Sequence, residues 1–299
     1  MNYYNEIKIQ LVNNEVYKKA KDYSKNKNDL STYFNVGKLL VEAQGGEKRA
    51  KYGDYLIKEY SKQLTIELGK GYTTSALKRM RKFYLIIEKG ATLSHQLNWS
   101  HYVELLKFDD TNKINYYIDI CTSNNLNIRE LRSKIKNKEY ERLDDSTKQK
   151  LIIKEQIKVT DFIKNPIKIK NFHNYNELSE KLLKQLILEN LDNFLKELGS
   201  GFCYIANEYK IKLGNRYNYI DLLLFNIKFN CYIVVELKIT ELKKEHIGQI
   251  QTYMNYIDKN IKTINQEDTI GIIICKKDNK FVMEYCSDER VFRTTYILT

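Results

Sequence analysis

The spacing of apolar residues divides the chain into two parts of different period. From residue 1 to about 145, apolar positions recur three and four apart, the period of a buried helix face. Val36, Leu39 and Leu40 share one such face, and Tyr55, Leu56, Tyr60 and Leu64 another. Gly45-Gly46 interrupts or ends the first of these helices. Leu97 to Tyr102 opens a further helix, with Ser100 as its N-cap and Trp99, the single tryptophan, as a core anchor. Between Asp144 and about Asn174 the period is lost, and the single proline, Pro166, falls there. Beyond it the pattern predicts a helix over Glu177 to Leu198, a turn at Gly199-Ser200-Gly201 and a strand over Phe202 to Leu213. Two short apolar runs follow, Leu222 to Phe225 and Cys231 to Val235, then a helix over Glu241 to Asp258 and a strand over Thr269 to Cys275. The expected organisation is a helical domain over 1–145, a partly ordered connector over 146–172 and an α/β domain over 173–299.

Charged residues interrupt the second part where a core is expected. Asp221 opens one apolar run and Glu236-Leu237-Lys238 closes the next, a hairpin's length away. In a strand, Glu236 and Lys238 point to one side and Leu237 to the other. Two carboxylates and a lysine at the ends of adjacent core strands are costly to bury without partners. A divalent metal and a phosphate would offset that cost. On the following helix, Gln249 and Tyr253 stand at i and i+4, on one face at the edge of the apolar stripe Ile247, Ile250, Met254 and Ile257.

The order helix, three strands, helix, strand, with Asp221, Glu236-x-Lys238 and Gln249-x-x-x-Tyr253, resembles the αβββαβ core of the PD-(D/E)xK nuclease superfamily. The segments FLKELGSGFCYIANEYKIKLG, YIDLLLFN, CYIVVELK, GQIQTYMNYID and TIGIIICK resemble the nuclease domain of the bacterial YhcG-like family. GKLLVEAQGGEKRAKYGDYLIKEYSKQL, LGKGYTTSALKRMRKFY, LNWSHYVELL and NIRELRSKIKNKEYERL resemble that family's N-terminal domain. The match runs from about Leu30 onward. The resemblance implies a metal-dependent phosphodiesterase, with Asp221, Glu236 and the Leu237 carbonyl holding one or two Mg²⁺ ions and Mn²⁺ able to substitute. Lys238 would orient or deprotonate the attacking water, or stabilise the transition state. Gln249 and Tyr253 would face the site from its rim. The family's upstream helix carries an acid near position 184, where this chain has Lys184; Glu180 and Glu189 lie to either side.

A second feature lies in the helical part. Gly69 to Ser75 is a turn with capping residues, and a helix over Ala76 to Ile87 follows. Ala76, Leu77, Met80, Phe83, Tyr84 and Ile87 fall in an arc of about 120°. Lys78, Arg79, Arg81 and Lys82 lie outside it, and Lys70 precedes them in the turn. A helix, a glycine-containing turn and a second helix with a basic face resemble a helix-turn-helix that binds DNA phosphates. The bland reading of the same residues is a solvated face of a bundle helix.

Composition supports an anionic partner without naming it. The 299 residues carry a formal charge of +12, which favours nucleic acid. The five cysteines form no C-x-x-C pair, and those at 203, 231 and 275 read as buried strand residues. With four scattered histidines, a structural zinc site is not expected. No apolar run approaches membrane-spanning length and no signal segment is visible, so a cytoplasmic protein is expected. The expected activity is Mg²⁺-dependent DNA cleavage, in defence against foreign DNA or in DNA processing. Two rivals stay open: an RNA-directed nuclease, and a non-catalytic binding or assembly factor on a nuclease scaffold. Homo-oligomerisation is undecided.

Overall fold

The computed structural model describes residues 3–19, 25–46, 50–153, 155 and 158–299. The chain forms two compact units, Met1–Tyr140 and Glu141–Thr299. The first is helical, with α1 (Tyr3–Lys19), α2 (Lys25–Ala43), α3 (Ala50–Leu68), α4 (Thr74–Glu88), α5 (Trp99–Leu105), α6 (Thr111–Asn124) and α7 (Ile128–Lys136). Its core joins Ile7 and Leu11 of α1, Val36 and Leu40 of α2, Ile57 and Leu64 of α3, and Leu77 and Met80 of α4. Gly37 lets α2 and α4 approach closely, since a Cβ there would lie 2.2 Å from the Met80 carbonyl oxygen.

Two details of the sequence reading change in this unit, and a third holds. The inward face of α3 runs through Ile57, Ser61 and Leu64, which leaves Tyr55 exposed. The N-cap of α5 is Asn98 in place of Ser100, because Asn98 and His101 cap each other's backbone in a reciprocal box. Trp99 packs on Tyr33 and Phe83, as a core anchor should.

The second unit contains α8 (Asp145–Ile153), a 3₁₀ turn (Val159–Phe162), β1 (Ile167–Ile169), α9 (Glu180–Glu189), α10 (Leu191–Leu198), β2 (Phe202–Leu213), β3 (Arg216–Asn226), β4 (Cys231–Glu241), α11 (Lys244–Asn260), β5 (Glu267–Lys277), α12 (Lys280–Glu284) and β6 (Val291–Leu298). The expected helix over 177–198 is two helices, broken at Asn190, whose φ of −134° is not helical. The sheet order is β1-β6-β5-β4-β3-β2. The β2–β3–β4 pairs are antiparallel; β4–β5, β5–β6 and β6–β1 are parallel. Alternation along the strands builds a core on each face. Leu222, Leu224, Ile233, Val235, Leu237, Ile272 and Ile274 pack against α9 and α10. Leu223, Val234, Ile273 and Cys275 pack with Ile250, Tyr253 and Met254 of α11. Gly271 admits α11 to the sheet, because a Cβ there would sit 2.5 Å from Met254 Sδ. Cys231 and Cys275 are buried, whereas Cys203, on the sheet's edge strand, is exposed.

The segment expected to be a connector, 146–172, is built into this unit. Ile167–Ile169 pair in parallel with Tyr296–Leu298. A buried ion pair anchors the region: Arg142 Nη1 and Nη2 donate to Glu197 Oε2 and Oε1 at 2.6 and 3.1 Å. Arg142 Nη1 also donates to the Pro166 carbonyl, and Glu197 accepts the Lys168 backbone N–H. Lys164 Nζ donates to the Lys196 and Glu197 carbonyls at the end of α10, where a cation complements the helix dipole. Burial alone would raise the Glu197 pKa, but the Arg142 hydrogen bond and the Lys164 charge more than offset it and hold it low.

Breaking such a pair leaves the buried Glu197 carboxylate with only the Lys168 N–H and the Lys164 charge to compensate it. Arg142→Ala is therefore expected to destabilise the second unit by about 3–5 kcal/mol. Urea unfolding of the variant followed by circular dichroism measures this, and a loss below about 1 kcal/mol would show that the pair is not the anchor.

Candidate active site

The β3–β4 ladder runs from Asn226↔Cys231 to Leu222↔Val235 and stops there. Asp221 and Glu236 are the first residues past its end, at a fork where β3 stays with β2 and β4 continues with β5. Neither lies at a strand terminus, since β3 begins at Arg216 and β4 runs on to Glu241. The Leu237 N–H, which no β3 carbonyl takes up beyond the fork, donates to Asp221 Oδ2 at 3.0 Å. That bond fixes the aspartate beside Glu236. The Leu237 side chain is fully buried, so only its backbone faces the fork.

Glu236 is 2 % exposed. Its Oε2 accepts from Lys238 Nζ at 3.3 Å, while Oε1 is buried without a hydrogen-bond partner. Burial, and next the charge of Asp221, push its pKa up to about 7 against the pull of Lys238. Lys238 Nζ also lies 3.8 Å from Oε2 of Glu180, the first residue of α9. Of the two glutamates open at the sequence level, Glu180 is the one at the site. Glu189 instead binds His173 and Gln185.

Two further charged residues stand at the fork whose roles the sequence alone does not show. Lys184, one turn after Glu180, donates to Glu208 Oε1 at 2.8 Å and to Asp221 Oδ1 at 3.4 Å. Burial would lower its pKa, yet the Glu208 hydrogen bond and the charge of Asp221 raise it on balance. Glu208 has φ of +48°, and the β2–β3 pairing passes from Asn207↔Leu222 to Tyr209↔Ile220, so Glu208 stands opposite Asp221 at a break in the ladder. His246, in the first turn of α11, has its pKa lowered by burial and then by the charge of Lys238.

Gln249 Nε2 donates to the Tyr253 hydroxyl at 3.1 Å. Tyr253 is buried in the core beneath α11, and Gln249 is half-buried. The pair is thus joined to itself, with no hydrogen bond to Asp221, Glu236 or Lys238.

In the first unit, α4 follows α3 after the turn at Gly69–Thr73, and Thr73 caps it through the Ala76 N–H. Its buried residues are Leu77, Met80, Phe83 and Ile86, so the inward stripe takes in Ile86, with Ala76, Tyr84 and Ile87 at its margins. Lys70, Lys78 and Arg79 are exposed. Arg81 and Lys82 are half-buried and engaged within the unit: Arg81 Nε donates to Gln44 Oε1 at 2.6 Å and Lys82 Nζ to Asp109 Oδ1 at 2.8 Å. Lys78, Arg81, Lys82 and Lys89 line a cavity of about 420 Å³ over Ile57, Leu85 and Ile86.

Among the described residues, no group of three or more His, Cys, Asp or Glu side chains is placed to hold a metal ion. Asp221 and Glu236 bring two carboxylates together at the fork, so a cation held there would need further ligands from backbone, water or substrate. The fit with a hard divalent cation is nonetheless direct. Glu236 Oε1 is a buried acceptor with no donor, and the crowded carboxylate has a raised pKa that such a cation would relieve.

A helix, three antiparallel strands, a helix and a parallel strand, with Asp and Glu-x-Lys meeting at the fork, define a PD-(D/E)xK nuclease domain. Residues 160–298 match the YhcG PDDEXK nuclease domain, and residues 9–142 match the DUF1016 N-terminal domain. The chain thus carries, in order, a DUF1016 N-terminal domain and a YhcG PDDEXK nuclease domain. It is 25 % identical over 284 residues to the Escherichia coli (strain K12) protein named "Putative nuclease YhcG", covering 82 % of this chain and 76 % of that one. Among solved structures, a repair endonuclease from Pyrococcus abyssi matches with 21 % identity and a TM-score of 0.30, over 41 % of this chain and 48 % of that chain. An EndoMS–dsDNA2 complex matches with 17 % identity and a TM-score of 0.31 over the same shares.

The raised Glu236 pKa has a consequence for stability. Between about pH 4.5 and 7 the unfolded chain gives up this proton while the folded chain keeps it, so stability falls as pH rises through that window. In EDTA, Glu236→Gln is expected to exceed wild type in stability by on the order of 3 kcal/mol at pH 8, shrinking below about 1 kcal/mol by pH 5. Thermal and urea unfolding at both pH values check this; a pH-independent difference would contradict it.

Proposed function

We propose that the chain is a nuclease that hydrolyses DNA phosphodiester bonds with Mg²⁺ as the working ion and Mn²⁺ able to replace it. The observation that carries this reading is the pair Asp221 and Glu236 at the fork, with Glu236 Oε1 buried and lacking a donor and Lys238 beside it. A divalent cation held by these carboxylates and the Leu237 carbonyl would neutralise phosphate charge and make a bound water more acidic. Lys238 has three N–H donors and is held between Glu236 and Glu180. From there its ammonium orients the attacking water or binds the phosphate oxygen on which charge develops. Glu180, half exposed at the rim, steadies Lys238. Gln249 and Tyr253 act at one remove, bracing α11 through their mutual hydrogen bond.

Duplex DNA is the favoured substrate because the net charge of +12 and the exposed bases of the α3-turn-α4 element suit a phosphate backbone. Lys78, Arg79 and Lys70 bind the phosphates. Arg81 and Lys82 are committed to Gln44 and Asp109 and shape the face. Defence against foreign DNA, or DNA processing, in the cytoplasm is the setting such an enzyme would serve.

Pure protein incubated with duplex DNA, single-stranded DNA and RNA, in Mg²⁺ and in EDTA, tests the reading. Cleavage of DNA that EDTA abolishes is expected. Cleavage of RNA alone would make the chain an RNA-directed nuclease, and no cleavage at all would favour an assembly role. Asp221→Ala and Glu236→Ala should each remove Mg²⁺-dependent cleavage. Lys238→Ala should lose turnover by about 10²-fold or more while still binding Mn²⁺ in calorimetry. Near-normal cleavage by any of the three would overturn the assignment.

The binding role of α4 has its own signature. Changing Lys70, Lys78 and Arg79 to Gln leaves the buried stripe intact, and DNA affinity should fall for all sequences. The slope of log affinity against log salt should shrink by about 0.9 for each phosphate that the variant no longer neutralises. An unchanged slope would assign these residues to a solvated helix face.

A further inference from the structure

The catalytic fork holds more positive charge than water or phosphate handling by Lys238 requires. Lys184 reaches it from α9, its side chain only 12 % exposed. Its ammonium lies 3.4 Å from Asp221 Oδ1, on the oxygen that the Leu237 N–H leaves open. Glu208 holds the same ammonium at 2.8 Å from the other side. Glu208 reaches that point through a left-handed backbone conformation, uncommon for glutamate, at the break in the β2–β3 ladder opposite Asp221. The register is the same on either side of Glu208, so the unpaired position sets its carboxylate against Lys184 without shifting the strand.

Charge and geometry together limit what else the fork can take. The ion-paired set is Asp221, Glu236, Glu180 and Glu208 against Lys184 and Lys238, a formal excess of two negative charges. One divalent cation balances it, and a second would leave the same excess with opposite sign. Of the four oxygens on Asp221 and Glu236, only Glu236 Oε1 lacks a donor. A second divalent ion on the outer side of Asp221 would have to displace Lys184.

We propose that Lys184 is a built-in cation of the nuclease site, held against Asp221 by the positioning residue Glu208, so that the site takes one metal ion per chain. This rests on the reading of Asp221 and Glu236 as metal ligands given above. The lysine side chain substitutes for a second ion as a fixed charge beside Asp221, and the site needs no third carboxylate to hold it.

Titration of Mn²⁺ into the full-length protein by calorimetry, with electron paramagnetic resonance of the loaded protein, tests the proposal without reference to turnover. Wild type should bind one ion per chain with no Mn²⁺–Mn²⁺ spin coupling at saturation. Lys184→Met keeps the length and packing of the stem, and thermal unfolding checks that the variant is folded. Removing the competing charge should tighten Mn²⁺ binding by about tenfold. Glu208→Gln should act in the opposite direction, since Lys184 then pairs with Asp221 alone. The double variant should match Lys184→Met, because Glu208 acts through the lysine. Lys184→Glu should admit a second, spin-coupled ion. Two coupled ions in wild type, unchanged affinity in Lys184→Met, or an effect of Glu208→Gln that persists without the lysine would each overturn the proposal. If Asp221→Ala binds Mn²⁺ as wild type does, the metal site itself is elsewhere and the proposal falls with it. Two ions in wild type with Asp221→Ala inactive for binding would leave the site standing and refute only the single-ion claim.

Discussion

The hydrogen bond from the Leu237 N–H to Asp221 Oδ2 is the point on which the geometry of the fork turns. Beyond Leu222↔Val235 the β3 and β4 backbones part, and their N–H and C=O groups need other partners. A carboxylate supplies one. It thereby brings a second carboxylate, Glu236, within its field, and both are flanked by strand residues that form the core. Rigid flanks make this possible: Leu222 and Leu224 on one strand, and Val235 and Leu237 on the other, are fully buried in one cluster. A site set at a fork between packed strands holds its geometry without a loop to order.

The same fork explains the distribution of charge around it. Glu236 is buried beside Asp221, so its proton is held to about pH 7 and one of its oxygens lacks a donor. Lys238 and Lys184 approach from different elements and neutralise part of the excess, each held by a second carboxylate, Glu180 and Glu208. These outer acids hold the lysines near the fork. The excess of carboxylates, with one buried acceptor left without a donor, is the feature on which the proposed cation site rests.

Much of this is legible in the sequence, for identifiable reasons. Asp221 and Glu236-x-Lys238 stand out because they border apolar runs whose central residues, Leu222 to Leu224 and Ile233 to Val235, are core. Phe202 to Leu213 reads correctly as a strand because a glycine turn bounds it before and Gly214 after. The break at Asn190 is hidden because the apolar spacing carries on through it, with Leu186, Ile187, Phe194 and Leu198 all buried. The strand Ile167–Ile169 is hidden because three residues show no period; its pairing with β6 is set more than a hundred positions away. Lys184 and Glu208 are separated by 24 residues and lie on different elements, so only the tertiary fold joins them. On α4, the basic residues are legible as a group, but the engagement of Arg81 with Gln44 and of Lys82 with Asp109 depends on tertiary packing.

The proposed activity calls for a divalent cation seated between Asp221 and Glu236. Crystals of the protein soaked in Mn²⁺, with anomalous diffraction collected at the manganese edge, test that most directly. One anomalous peak is expected at the fork, touching oxygens of both carboxylates, and it should vanish in Asp221→Ala crystals. A peak at another site, or Asp221 and Glu236 left without metal at saturating Mn²⁺, would show that the carboxylate pair is not the metal site.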